Sequence, residues 1–545
     1  GNFMKSIEQK LIKREIIQRK EEGCDTTKIE NRLETLQDCT DKDFTELYNE
    51  LMDLEVSQTF PYHEPSSLEE IRLARPSRKR KLELKLTDEE LYERIYGGWL
   101  GRAAGCALGK PVEGWPKHRI DKYLIDSDVL PLDDFFPFNE RILPKVHKPS
   151  TRGNITQMDR DDDMDFPILG LIALESKGPY LTPRSVADIW LSHMPFGLVY
   201  TAENVAYRNF VANIWPPESA IRRNPYREWI GAQIRADIFG YAAPGWPEKA
   251  AALAFQDGCI SHQKNGIYGE MFVAAMISAS FVFETIDDIV DAGLGEIPEN
   301  CRLAETVKDV QTWCHSLNDW EEIFKKILDK YGHYHGVHTI NNAALVVLGL
   351  YFGQENFESG IVTAVRAGWD TDCNGATVGS ILGVRCGSKK LPGKWVDKFN
   401  DRLMSAVKGH NENRFSSLAK RTVQVAKKVL NSPAEQEAVS TKETSPGGCW
   451  DLETGWGRQR VNFDAGTVKF LEDGFEPYPI TACQYQGETL NFSFAIDKGG
   501  WDFEVDFEGI VNADAIEGSF FPGDTPVQGK RSVSREEDSA ETSSS

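Results

Sequence analysis

Two short acidic runs constrain this chain more than any other feature. Asp161-Asp162-Asp163 lies in TQMDRDDDMDFPILGLIALE and Asp370-Thr371-Asp372 in RAGWDTDCNGATVGSILG, each opening an apolar, Gly/Ala-rich stretch of helical spacing. Carboxylates this close repel one another unless cations neutralise them. Clustered oxygen donors suit Mg²⁺, Mn²⁺ or Ca²⁺. A fold that brings the runs together makes a two-metal site. A fold that keeps them apart leaves helix N-caps, a role Asp also fills. Three consecutive acids and a second D-x-D exceed what capping needs, so metal binding leads. After the second run, Gly375, Gly379 and Gly383 recur every four residues. That smooth face lets another helix approach closely and can bring the first run near.

Competing metal motifs fail on position. Asp370 to Gly375 fits the start of an EF-hand loop, but Ile381 stands where the bidentate Glu belongs. In the Asp161/Asp163/Asp165 alternation, Phe166 occupies the place of the turn glycine, and no HExxH is present.

Composition narrows the function classes. At 545 residues, two or three folding units are expected. Hydrophobic residues make up 40% of the chain and no stretch reaches the length of a membrane-spanning helix, so a soluble protein that does not engage membranes is expected. The net charge of −22, from 62 basic and 84 acidic residues, disfavours nucleic acid and favours a cationic ligand. Ten cysteines are scattered with no CxxC pair, which points away from a zinc ribbon and towards a reducing, cytoplasmic location. The opening GNFMKS reads as a cloning remnant before Met4 and carries no fold information.

Residues 1–86 read as a helical extension followed by the basic run RPSRKRKLELK. Its apolar stripe is thin: the helices either dock on the main body, join a second copy into an oligomer, or form a solvated appendage. The basic run reads as a linker, with nucleic-acid binding a minor alternative. At Thr87 the character changes, because Thr87 and Glu90 have capping-box spacing. Helix-period segments then dominate 87–432. A low-complexity linker (433–446) follows, then a small antiparallel β domain (447–531) of alternating segments such as LNFSFAIDKGGWDFEVDFEGI, and a disordered polar tail (532–545).

Three motifs in order carry a family resemblance. YGGWLGRAAGCALGKPVEG, RDDDMDFPILGLIALE and GWDTDCNGATVGSILG resemble the opening G-x-x-x-G-D-A-L-G-x-P-x-E element, the T-D-D-T motif and the closing D-x-D-T motif of the ADP-ribosylglycohydrolases. The resemblance spans about Thr87 to Leu430. It implies a mainly α, orthogonal helical bundle and a binuclear Mg²⁺ or Mn²⁺ centre. Asp161, Asp162, Asp163, Asp370 and Asp372 fall on metal-binding positions, Cys373 on a position usually held by a Thr ligand, and Glu113 on the glutamate of a mobile loop. Three residues depart from the pattern: Asp161 for Thr or Ser, Cys373 for Thr, and Cys106 for Asp. The implied activity is hydrolysis of an N- or O-ribosidic bond, removing ADP-ribose from a modified protein or other acceptor. Alternatives are hydrolysis of a free nucleoside, nucleotide or ADP-ribose derivative, and an inactive ADP-ribose-binding protein. Asp162 or Asp163 would be the base, with Glu113 gating the site.

Substrate contacts are less sharply marked. GCISHQKNGIYGEMF resembles a family segment that would make Ser261 and His262 ligand contacts, with Gly266 and Gly269 allowing close approach. Tyr268 would stack adenine or pack in the core. His333, His335 and His338 would bind a transition metal or phosphate oxygens, or form an ordinary polar pair on a strand. Asn224, Arg227 and Arg235 would bind pyrophosphate or form surface ion pairs.

Overall fold

A computed structural model describes residues 2–35, 40–432, 446–471, 477–486, 488–498, 501–521 and 525–532. Apart from residues 446 and 532, the expected linker and tail lie outside the described residues. The chain divides into two compact units, Gly1–Ser432 and Pro433–Ser545. No helix among the described residues is long and apolar enough to cross a membrane.

The first unit is mainly helical and is organised around one helix pair. The Asp88–Gly109 helix begins at the expected capping box: the Glu90 amide donates to Thr87 Oγ1 at 3.2 Å, and the Thr87 amide to Glu90 Oε2 at 2.8 Å. Five of its residues are glycine, each costing about 1 kcal/mol relative to alanine in a helix interior. Packing repays that cost. Gly97, Gly101 and Gly105 lie antiparallel against Gly383, Gly379 and Gly375 of the Thr371–Cys386 helix, backbone against backbone. The smooth face expected on the second helix therefore meets a matching one on the first. This contact sets the C-terminal end of one helix beside the N-terminal end of the other, and Thr371 Oγ1 donates to the Gly109 carbonyl at 2.8 Å.

The N-terminal helices are not a solvated appendage. Ile12, Ile16, Ile29, Phe44, Leu47 and Leu51 form a small core of their own. The polar side of the Asn2–Glu21 helix and the turn after it are buried as ion pairs: Arg227 bonds Glu15 at 2.8 Å and Glu22 at 2.9 Å. Gln18 donates to Glu228 at 2.7 Å, and Glu228 also holds Arg302. The basic run is likewise engaged. Arg75 and Arg80 pair with Glu296, and Arg78 with Asp291, so a nucleic-acid role for these arginines has no support.

The second unit is a closed antiparallel barrel of eight strands from Cys449–Thr454 to Thr525–Arg531, each paired with the next and the last paired with the first. Closure removes exposed sheet edges. Trp450, Phe492, Phe494, Phe507 and Phe520 fill its interior, with Phe492 and Phe507 stacked at 4.9 Å.

Candidate metal centre

The two acidic runs meet. Carboxylate oxygens of Asp161, Asp162 and Asp163 lie within 4.8 Å of one another, as do those of Glu113, Asp370 and Asp372, and the ligand atoms of Asp163, Asp372 and Cys373. Asp163 and Asp372 each belong to two of these sets, which makes them contiguous. Asp161, Asp163, Asp370 and Asp372 are buried, while Asp162 is half-buried and Glu113 is exposed at the mouth.

Helix ends deliver these groups. Asp161 caps the Asp162–Lys177 helix by accepting the Asp163 amide at 3.0 Å. Capping thus accounts for one Asp161 oxygen. Asp370 caps the Thr371–Cys386 helix without a side-chain capping bond, and its carboxylate meets the side chains of Asp372 and Cys373 instead. The positive ends of both helices favour negative charge here, but not enough to hold so many acids.

Two buried cations, which the sequence reading missed, organise the site. Arg102 is fully buried and clamps Asp163 Oδ1 at 3.1 Å, Asp237 Oδ2 at 3.1 Å and the Ile234 carbonyl at 2.7 Å. Its Nε also donates to the Asp163 carbonyl at 2.9 Å. That carbonyl is freed because Pro167, four residues on, has no N–H to offer it. Lys110 lies 3.3 Å from Asp161 Oδ2 and also donates to the Arg160 carbonyl. The extra charge of Asp161, one of the three departures, is therefore matched by a buried lysine. Asn342 Oδ1 accepts from the Asp370 amide at 3.2 Å and from Asn374 at 2.8 Å, fixing the second run.

The turn that carries Glu113 is pinned to the segment before the second acidic run. The Gly114 amide donates to the Trp369 carbonyl at 2.9 Å, and the Trp369 amide to the Trp115 carbonyl at 3.1 Å. Trp369 adopts φ 64°, a left-handed conformation costly for a bulky residue. The residue before Asp370 is thus held in an unfavourable backbone state by the loop that bears Glu113.

The electrostatics call for cations. Burial first, and then the charges of neighbouring acids, push the carboxyls of Asp162 and Asp372 well above the usual range; burial does the same to Asp163 despite Arg102. Desolvation of the Glu113 carboxyl, with the charges of Asp370 and Asp161, pushes it up to about 8 even though the residue's outer face is exposed. One Asp372 oxygen is buried with no hydrogen-bond partner, a costly state unless a cation fills the gap. Cys373 donates its thiol to Asp163 Oδ2 at 3.2 Å.

The residues expected to touch substrate have other partners. Arg235 is a buried ion-pair hub, not a surface one: it holds Glu203 at 2.7 Å, bonds Asp257, and donates to Ser261 Oγ at 3.0 Å. Ser261 Oγ also bonds His262 Nδ1 at 2.8 Å. Burial drives His262 well below its usual range, so it is neutral. Arg227 is equally buried, and Asn224 donates to the Ala220 and Ser261 carbonyls. Gly266 packs on the Arg227 carbonyl and Gly269 on Thr339, so both close approaches are to protein. Tyr268 is a core residue whose hydroxyl donates to the Pro65 carbonyl. The His333–His338 segment is not a strand: His335 stacks on Trp229 at 4.2 Å, and His338 caps the Thr339–Phe352 helix through Nδ1.

A family model described as ADP-ribosylglycohydrolase matches residues 87–430. Among solved structures, the chain is similar to one titled "ADP-ribosylglycohydrolase-related protein complex", with 16% identity and a TM-score of 0.40, covering 63% of this chain and 99% of that one. No curated protein matches the chain.

Proposed function

Because the chain belongs to the ADP-ribosylglycohydrolase family, we propose that it is a metal-dependent hydrolase of an N- or O-ribosidic bond, removing ADP-ribose from a modified protein or other acceptor. The convergence of Asp161–Asp163 with Asp370, Asp372 and Glu113 carries this reading. The donors suit a pair of Mg²⁺ or Mn²⁺ ions, since they are mostly carboxylates and one Asp372 oxygen is buried without a partner. Asp161, Asp162 and Asp163 would hold one side and Asp370, Asp372 and Glu113 the other. Bound cations supply the positive charge that orients ribose hydroxyls and acidifies a nearby water.

The chain's own residues divide the remaining work. Asp163 is tied at one oxygen by Arg102 and at the other by Cys373, so it anchors the site. Asp162, the more accessible of the pair, accepts the water's proton. The surrounding carboxylates favour the oxocarbenium-like charge that develops as the ribosidic bond breaks. Glu113, on its pinned turn, closes the mouth and limits access of bulk water.

Beside Trp369 opens a groove of about 400 Å³ lined also by Lys117, His118, Asp121, Phe324 and Leu328. That volume is in the range of small-molecule sites, and the Lys117 ammonium there is paired with Asp121 and Glu321. Assaying ADP-ribosyl-arginine, ADP-ribosyl-serine and free nucleosides side by side with Mn²⁺ tests the proposal. Release of ADP-ribose from either conjugate supports it. Turnover of nucleosides alone moves the assignment to the second reading, which the Cys106 and Cys373 departures favour. Binding of ADP-ribose with neither metal uptake nor turnover identifies a silent binding protein.

A further inference from the structure

The donors of the candidate centre are not all oxygen. Cys373 is buried in the first turn of the Thr371–Cys386 helix, and its sulfur, an Asp163 oxygen and an Asp372 oxygen lie within 4.8 Å of one another. Asp372 Oδ1, on a residue only 3% exposed, has no hydrogen-bond partner. We propose that Cys373, Asp163 and Asp372 form a thiolate-containing position that selects a transition-metal ion of the Zn²⁺ or Fe²⁺ class over Mg²⁺. The two carboxylate sets of the centre then meet at a mixed sulfur–oxygen position, because Asp163 belongs to one set and Asp372 to the other. This inference rests on the metal-centre reading above and deepens it.

The geometry is already close to what such an ion needs. Zinc–sulfur and zinc–oxygen bonds of about 2.3 and 2.1 Å at a tetrahedral angle separate the two donors by about 3.6 Å. The Cys373 sulfur and Asp163 Oδ2 stand 3.2 Å apart, so an ion replaces the shared proton with little movement. Thiolate is a poor ligand for Mg²⁺ and a good one for softer ions. Three protein donors leave a fourth position open, the arrangement of catalytic rather than structural zinc. Arg102 supports the set by fixing the other Asp163 oxygen at 3.1 Å, an outer-shell contact of the kind that orients ligands. A small buried thiol needed only to fill space would not require an unpartnered carboxylate oxygen beside it.

The test uses full-length protein stripped with a chelator and titrated with Co²⁺ and Cd²⁺, followed by ultraviolet absorbance and calorimetry. The expected result is a sulfur-to-metal charge-transfer band that saturates at one ion per chain. Cys373→Ser removes the band and weakens Cd²⁺ binding by about tenfold or more, the scale on which altered ligand shells change affinity. Cys106→Ser, at the other buried cysteine of this region, keeps the band. Cys373→Thr serves if the serine variant does not fold. Calorimetric uptake of Co²⁺ or Cd²⁺ by the wild type without a sulfur band, or a band that survives loss of Cys373, overturns the thiolate position and leaves the metal centre standing. No uptake of any divalent ion, Mn²⁺ included, overturns both.

Discussion

Gly105 and Gly375 touch backbone to backbone: a methyl group built on Gly105 would lie 1.8 Å from the Gly375 carbonyl oxygen, and one on Gly375 would lie 2.4 Å from the Gly105 oxygen. The contact joins segments 270 residues apart at the point where the acids converge. Neither backbone can yield to a side chain without separating the helices, and separating them moves the Glu113 turn away from Asp370.

Gly105→Ala should therefore destabilise the first unit by about 1–3 kcal/mol, the cost of overpacking. Metal affinity should fall in parallel. Gly197→Ala, where nothing lies within 4 Å, should change stability by no more than about 0.5 kcal/mol. Denaturant unfolding of the two variants measures the contrast.

Asp372→Asn separates the cost of crowded acids from their use. Replacing one carboxylate relieves repulsion in the metal-free protein, so its thermal midpoint should stay level or rise. Saturating Mn²⁺ should stabilise the wild type, by about 2.7 kcal/mol at a hundredfold excess over Kd, and the variant far less. Turnover should vanish while the helical circular dichroism is kept. Thermal melts with and without Mn²⁺ give the comparison, and a variant stabilised like the wild type would remove Asp372 from the centre.

The N-terminal network predicts an acid-sensitive component of stability. Burial, the largest single influence, would raise the Glu228 carboxyl, but the Arg302 guanidinium together with His338 and Lys264 outweighs it and, with Glu22 opposing, holds Glu228 at about 2. A folded value below the unfolded one means the contribution is complete above pH ~4.5 and is lost as pH falls towards 2. Glu228→Gln should be less stable than wild type at neutral pH, and the gap should narrow below pH ~4.5. Unfolding free energies measured from pH 7 to pH 3 check the sign.

Local features were legible in the sequence and pairings were not. The Thr87/Glu90 cap and the glycine repeat at 375, 379 and 383 announce themselves because each is set by neighbours within a few residues. The partner of that repeat went unseen, since glycines at 97, 101 and 105 sit in a segment marked chiefly by its cap and its motif. Arg102 was legible only as a lone arginine among Gly and Ala, a sign of a buried counter-ion that sequence spacing alone does not tie to Asp163. The charges of the N-terminal helix looked solvated because Arg227, which pairs with Glu15 and Glu22, lies about two hundred residues away. The same reason hid the fate of Arg235 and Tyr268. Their chemistry suits a ligand, but tertiary packing had already assigned their partners. In the β unit, alternation gave the strands, whereas barrel closure depends on the first strand meeting the last.

The most direct measurement is an anomalous difference map from crystals of the full-length protein soaked in Mn²⁺. Strong peaks enclosed by Asp161, Asp162, Asp163, Asp370 and Asp372 are the predicted result. A map with no density among these five carboxylates, from crystals that bind Mn²⁺ elsewhere or not at all, would contradict it.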